Sequence, residues 1–111
     1  MDIIKLNSEN FRKEVLEADK PVIVDFWGGW CSGCRAIESD IKKLNEEAGD
    51  RYIVAAVDVD VNADLIIEYR IKSIPTIFIF NHGEVIKKYI GTIGDEEFKN
   101  IHTIIEALYA N

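Results

Sequence analysis

The chain holds two cysteines, Cys31 and Cys34, set two residues apart in Trp30-Cys31-Ser32-Gly33-Cys34. Before them runs Pro21-Val22-Ile23-Val24-Asp25-Phe26-Trp27, a β-prone apolar stretch broken by one aspartate; after them, Arg35 to Leu44 reads as a helix. A C-x-x-C at a strand-to-helix junction is the pattern of a redox pair, because a thiol in such a place is readily held as the thiolate that attacks disulfides. Asp25 is the other residue whose type does not suit its surroundings. A carboxylate inside an apolar strand is costly unless it is paired or protonated. Two thiolates also supply half of a tetrahedral zinc site. His82, in an expected turn, and His102, in the last helix, are not obvious further ligands, so no metal is expected. A metal or iron–sulfur cluster bridging two chains through their cysteine pairs is the alternative use of the same motif.

These residues need a rigid frame. At 111 residues the chain suffices for one domain, 1–111, with a real hydrophobic core. An apolar fraction of 48% and a charged fraction of 30% suit a soluble globule rather than a disordered chain. The formal net charge of −7 leaves no basic stripe to displace counterions from phosphates, so nucleic acid is not an expected partner. Met1 to Leu6 lacks the basic and long apolar regions of a secretory signal. No apolar run nears the roughly 20 residues of a membrane span, and two cysteines are too few for a disulfide-built secreted scaffold. A cytoplasmic protein with no membrane partner is expected.

Hydrophobic periodicity outlines the frame. Ile3 to Leu6 reads as a short first strand, and Ser8 as the cap of a helix that turns Phe11, Val15 and Leu16 inward. Val22 to Trp27 reads as a central strand covered on both faces, ended by Gly28-Gly29. A second helix is expected from Cys34 to Glu47, with Ile37, Ile41 and Leu44 inward and Gly49-Asp50 as its stop. Tyr52 to Val59 reads as another buried strand, and Asn62 to Tyr69 as a short helix. Ile74-Pro75-Thr76 opens a strand through Phe80, Asn81-His82-Gly83 signals a hairpin turn, and Val85 to Ile90 returns. Asp95 is expected to cap a last helix with Phe98, Ile101, Ile105 and Leu108 on its buried stripe; Glu96 and Glu97 read as solvated acids of its first turn. The order β-α-β-α-β-α-β-β-α implies an α/β fold, a mixed sheet with helices on both faces.

The chain resembles thioredoxins from end to end. The shared pattern is Val24-Asp25-Phe26-Trp27 before the cysteines, Trp30-Cys31-x-x-Cys34-Arg35 at them, Ile74-Pro75-Thr76 further on, and Gly83-Glu84-Val85 followed by Gly91. The resemblance implies the thioredoxin fold, a central five-stranded mixed sheet flanked by four helices, and reversible dithiol–disulfide exchange on protein substrates. It implies that Cys31 is the exposed nucleophile, its sulfur at the start of the second helix, where free N–H groups and the helix dipole stabilise a thiolate. Bringing a thiol pKa from ~8.5 to ~7 takes about 2 kcal/mol of selective stabilisation, to which Arg35 adds a little. Cys34 would be the more buried resolving thiol, which attacks the mixed disulfide and releases reduced substrate. Asp25 would lie beneath the cysteines and assist proton transfer at the buried thiol; desolvation should raise its pKa towards neutrality, where a general acid/base works best. The plainer reading of Asp25 is a carboxylate bonded to nearby backbone N–H groups. Pro75 fits the family's cis-proline facing the disulfide, with the Ile74 backbone able to pair with a bound peptide as an added strand; the plainer reading is a trans proline opening an edge strand. Trp30, Gly29, Ile74, Pro75, Gly91 and Thr92 make up the implied substrate surface, and Trp27 is core.

Ser32-Gly33 stands where Gly-Pro is usual. Glycine restores an N–H that can stabilise the Cys31 thiolate, and it loosens the geometry needed to close the disulfide. Both effects favour the dithiol, so the midpoint potential is expected to be less negative than the ~−270 mV of ordinary thioredoxin. Ser32, Gly33 and Arg35 are thus the residues that tune the pair. Ala56 replaces a lysine that commonly neighbours the buried aspartate, which leaves Asp25 harder to ionise. Ser39 replaces a proline that kinks the second helix in many relatives, so a straighter helix is expected.

The functional expectation is a protein-disulfide reductase and thioredoxin-type electron carrier, a monomer that needs no cofactor. The resemblance implies disulfide-containing proteins as substrates and a thioredoxin reductase as electron donor. The rival is a thioredoxin-like binding or adaptor module with little redox turnover, against which the presence of both cysteines, Asp25 and Pro75 argues. An exported disulfide-forming oxidant would call for an export signal and usually an inserted helical domain, and neither is visible.

Overall fold

A computed structural model describes residues 2–109. Five strands, β1 (Ile4–Lys5), β2 (Val22–Trp27), β3 (Ile53–Asp58), β4 (Thr76–Asn81) and β5 (Glu84–Ile90), form one sheet in the order β1-β3-β2-β4-β5. The pairs β1–β3 and β3–β2 are parallel, and β2–β4 and β4–β5 are antiparallel. Strand β2 is therefore central, which is why its apolar run is nearly continuous: both of its faces are covered. Ile23 joins a core with Val54, Ile77 and Ile79, covered by Ile41 and Leu44 of one helix and Phe98, Ile101 and Ile105 of another. Val22, Val24 and Phe26 join the opposite core with Phe11, Val15, Leu65, Phe78 and Phe80. Asp25 and Trp27 share the face of Ile23 by strand alternation.

The helical elements are a π-helical turn at Arg12–Leu16, α1 (Ser32–Ala36), α2 (Glu38–Ala48), α3 (Ala63–Glu68) and α4 (Asp95–Tyr109). Three of them differ from the sequence reading. Ser8 does not cap the first: Asn7 Oδ1 accepts from the N–H groups of Glu9 and Asn10, and Asn10 Oδ1 accepts from Asn7 N–H. These two asparagine side chains imitate a backbone turn and compete with the serine for the same donors. The expected straight helix from Cys34 to Glu47 is two segments, interrupted at Ile37 (φ −104°, ψ 2°). No proline is needed for the break; Ile37 is drawn into the core beside Ile41, where it is 1% exposed. Asp95 lies inside α4 rather than capping it. Glu97 Oε1 accepts from Gly94 N–H at 2.8 Å, and Phe98 N–H donates to Gly94 O, so glycine holds the cap position and a glutamate reaches back to it.

The hairpin between β4 and β5 turns through His82 (φ 52°) and Gly83 (φ 80°). Two successive positive φ values make the twisted two-residue turn that suits right-handed strands. Phe98, Ile101 and Ile105 are buried on α4 as expected, while Leu108 is half-buried and Ile104 packs alongside them.

Candidate active site: a cysteine pair above a buried carboxyl

The carboxyl end of β2 delivers the chain into Gly28-Gly29-Trp30 and then into α1. Gly28 is buried and tightly surrounded: a Cβ would stand 3.0 Å from Ile74 Cδ1 and 3.1 Å from the Trp30 indole nitrogen, so either side chain would have to shift to admit it. Cys31 N–H donates to Gly28 O, and Cys31 then takes the N-cap position of α1 with extended backbone. Its sulfur acts as the cap, accepting from Cys34 N–H at 3.1 Å. The donor that meets Cys31 Sγ is thus the Cys34 amide rather than the Gly33 amide anticipated from the sequence. Because α1 spans five residues, this direct amide contact, not a long helix dipole, is the feature at Cys31 Sγ suited to stabilise negative charge once the disulfide is opened.

Cys31 and Cys34 are joined as a disulfide, with Cα atoms 5.2 Å apart. The expectation of an exposed Cys31 over a buried Cys34 does not hold in this oxidised form, where they are 6% and 8% exposed. Each sulfur covers the other, and a second loop presses on the motif between them. That loop carries the cis Ile74-Pro75 bond, with Pro75 buried and Ile74 half-buried. Pro75 O accepts from Gly91 N–H at 2.8 Å, which brings Gly91 (φ 92°) and Thr92 to the same rim. A Cβ at Gly33 would collide with Thr92 Oγ1 and come within 3.2 Å of Pro75 Cδ. Gly33 thus lets Thr92 and Pro75 sit close against the motif, where any side chain at 33 would have to turn the Thr92 hydroxyl aside, a role its sequence context did not reveal.

Trp30 is 67% exposed, and its indole N–H donates to both carboxylate oxygens of Asp60 at 3.1 Å. Asp60 was missed by sequence reasoning. The register Trp27↔Asp58 places the segment after β3 beside the cysteine loop, a pairing that exists only in the fold and that no local sequence signal announces. Arg35 does not turn to the sulfurs; its guanidinium donates to Gly29 O at 2.7 Å and pins the loop. Gly29, Ser32 and Thr92 are exposed, whereas Trp27 is half-buried.

Asp25 pairs across the sheet with Ala56 on one side and Ile77 on the other. It is 9% exposed, and its Oδ1 is buried with no hydrogen-bond partner among the described residues. Oδ1 thus makes no bond to backbone N–H, against the plainer reading. Burial raises the Asp25 pKa from 3.8 to about 7, the direction expected from desolvation of a carboxyl in an apolar strand. The carboxyl opens on a cavity of about 270 Å³ whose lining includes Cys34, Trp27, Ala56 and Ile41, together with Lys5 from the sheet edge. Cys34 and the carboxyl therefore line one pocket, the arrangement a proton relay between them through water would need.

A capped cysteine pair, a cis-proline loop against it and a near-neutral carboxyl beneath it define a thiol–disulfide oxidoreductase. Comparison with known proteins agrees. The Thioredoxin family model matches residues 2–104. The chain is 38% identical over 89 residues to Thioredoxin C-2 of Corynebacterium nephridii, covering 80% of this chain and 82% of that protein. It is 37% identical over 93 residues to a thioredoxin of Griffithsia pacifica, covering 84% and 85%. It is also 34% identical over 91 residues to the bifunctional thioredoxin reductase/thioredoxin of Mycobacterium leprae, covering 82% of this chain but 20% of that longer protein. The chain belongs to the thioredoxin family and is a protein-disulfide reductase. Among the described residues no helix is long and apolar enough to cross a membrane.

Proposed function

We propose that Cys31 is the nucleophile, Cys34 the resolving thiol and Asp25 the proton acceptor of this reductase. The Cys31 thiolate attacks one sulfur of a substrate disulfide. A Cys31–substrate disulfide forms, the substrate S–S bond breaks, and the departing thiolate takes up a proton. Cys34 passes its proton to Asp25 and attacks Cys31 Sγ; the Cys31–Cys34 bond forms and the second substrate thiolate leaves and is protonated. Two electrons and two protons reach the substrate, and the protein is left as the disulfide described above.

The observation that carries this assignment is the asymmetry of the two sulfurs: Cys31 Sγ receives the Cys34 amide, while Cys34 shares its cavity with Asp25. Trp30, Gly29, Ile74, Pro75, Gly91 and Thr92 would receive the substrate chain, with Ser32, Gly33 and Arg35 setting the shape of the loop. Disulfide-bearing proteins are the substrates and a thioredoxin reductase the electron donor, a pairing that also occurs within one chain in the Mycobacterium leprae relative, as its name states. The protein works as a monomer, one thioredoxin-like domain over residues 1–111, in the cytoplasm.

Trapping tests the roles. With a model disulfide protein, Cys34→Ser should accumulate a covalent complex through Cys31, and Cys31→Ser should accumulate none. Equal trapping by both variants would overturn the assignment, and a wild-type protein that reduces no disulfide would leave the binding module as the better reading.

A further inference from the structure

The cavity beneath Cys34 carries more charge than the redox step has used. Asp25 faces it from β2, Lys5 from β1, Arg35 from α1, and Glu38 and Lys42 from α2. Two of its three cations are engaged: Arg35 donates to Gly29 O, and Lys42 pairs with Glu38 at 3.0 Å. Lys5 is exposed, and among the described residues its ammonium has neither a hydrogen-bond nor an ion-pair partner. Its place in the sheet is fixed on both sides. The register Lys5↔Ala56 and Asp25↔Ala56 puts the three residues in one row across β1, β3 and β2, and Asn10 Nδ2 donates to Lys5 O at 3.0 Å.

We propose that Lys5 is a positioning residue for the resolving step: its ammonium folds into the cavity over Ala56 and serves as the counter-charge of Asp25 whenever that carboxyl ionises. This rests on the reading of Asp25 as proton acceptor and deepens it. Two strand spacings, about 10 Å, separate the Lys5 and Asp25 backbones, and the lysine stem and the aspartate arm close that gap from opposite ends. Ala56, with a single methyl group, leaves the space between them open. In the oxidised form the carboxyl is largely neutral below pH 7, raised by burial alone, and the lysine stays in water. When Asp25 gives up its proton to solvent before taking the one from Cys34, an unpaired charge would be left in an apolar pocket. Lys5 is the cation positioned to meet it. Arg35 and Lys42 would have to abandon their present partners, and Glu38 opposes the charge.

The test is the titration of the Asp25 carboxyl carbon by NMR in the fully reduced protein. Lys5→Met should move the midpoint up by about half a pH unit or more. Lys5→Arg should restore it. Lys13→Met, which removes the same charge from the π-helical turn on the opposite face, should leave it in place. An unmoved midpoint in Lys5→Met, an equal shift in Lys13→Met, or no rescue by arginine would each overturn the proposal. The Asp25 reading is tested separately, by the pH dependence of substrate release from a Cys31 mixed disulfide. If Asp25→Asn leaves that profile unchanged, the proton-acceptor role fails; if it flattens the profile while Lys5→Met shifts nothing, Lys5 alone fails.

Discussion

At Asp25 the sheet holds a carboxyl away from both water and partners, and this has a thermodynamic sign. An unfolded aspartate ionises near 3.8, and the folded one near 7. Between those values the folded chain keeps a proton that the unfolded chain has lost, so stability falls as pH rises through that window. Below about pH 4 both states are protonated and the residue is neutral in the balance; above about pH 7 the loss is complete. Asp25→Asn is therefore expected to be more stable than wild type at pH 8, by up to about 4 kcal/mol, with the gain shrinking to almost nothing at pH 4. Urea unfolding of the oxidised proteins at the two pH values measures this, and a variant less stable than wild type at pH 8 would contradict it. Among single residues, the sequence made Cys31, Cys34 and Asp25 legible because each is chemically out of place where it stands. Gly33, Asp60 and Lys5 were not legible in those roles. Their roles depend on Thr92, Trp30 and Ala56, which are distant in sequence and adjacent only in the fold.

Among elements, the strands and the hairpin were written plainly. Buried strands read as apolar runs between glycine and proline, and Asn81-His82-Gly83 is a strong turn signal. Gly83 carries more than its turn: besides φ 80°, a Cβ there would lie 2.9 Å from the carbonyl oxygen of Leu16, the last residue of the π-helical turn. Gly83→Ala should cost about 1–3 kcal/mol, seen as a lower urea midpoint at unchanged slope. Gly49 is also at positive φ (54°), with ψ −130° and nothing within 4 Å of its Cβ; that backbone conformation is itself glycine's, so Gly49→Ala should be destabilised as well, through strain alone. A Gly83→Ala variant as stable as wild type would mean that neither the turn nor the contact with Leu16 has energetic weight. Helix ends were harder to read. Ser8 and Asp95 are good caps in isolation, yet Asn7 Oδ1 accepts the Asn10 N–H, and Gly94 holds the start of α4 with Glu97 reaching back to its N–H. Cap choice is a contest between neighbouring side chains, each differing by around 1 kcal/mol, which residue type alone does not decide. The break at Ile37 is set by burial against a core assembled from remote strands, so local pattern could not announce it.

For the molecule as a whole, two loops meet over one helix start and enclose the disulfide. The sheet order puts the end of β2 beside the start of β4, so the motif and the Pro75 loop meet as a consequence of topology; before the fold, their facing was implied by the resemblance to thioredoxins and not by the element order. The relative burial of the two sulfurs followed from neither, because it depends on how tightly the loops close. The Cys34 amide that supports the Cys31 thiolate would be present with any residue at position 33, so it does not distinguish this chain from a Gly-Pro motif. What does is the freedom released when the bond opens. Glycine at 33 gains more conformational entropy than proline would, a difference of about 0.4–1 kcal/mol or more, and that gain belongs to the dithiol. At about 30 mV for each 1.4 kcal/mol in a two-electron couple, the midpoint should lie about 10–20 mV or more above ~−270 mV. Trp27 and Trp30 flank the motif and report its opening by fluorescence, so a titration in a dithiothreitol redox buffer reads the couple directly. Gly33→Pro should bring the potential back down only if Thr92 and Pro75 can withdraw from the new ring. Pairing it with Thr92→Gly, which removes the Oγ1 that a side chain at 33 would strike, separates the chain-entropy effect from the steric one. A wild-type midpoint at or below ~−270 mV would mean that loop closure by Thr92 and Pro75 outweighs the glycine, and would defeat the entropic account.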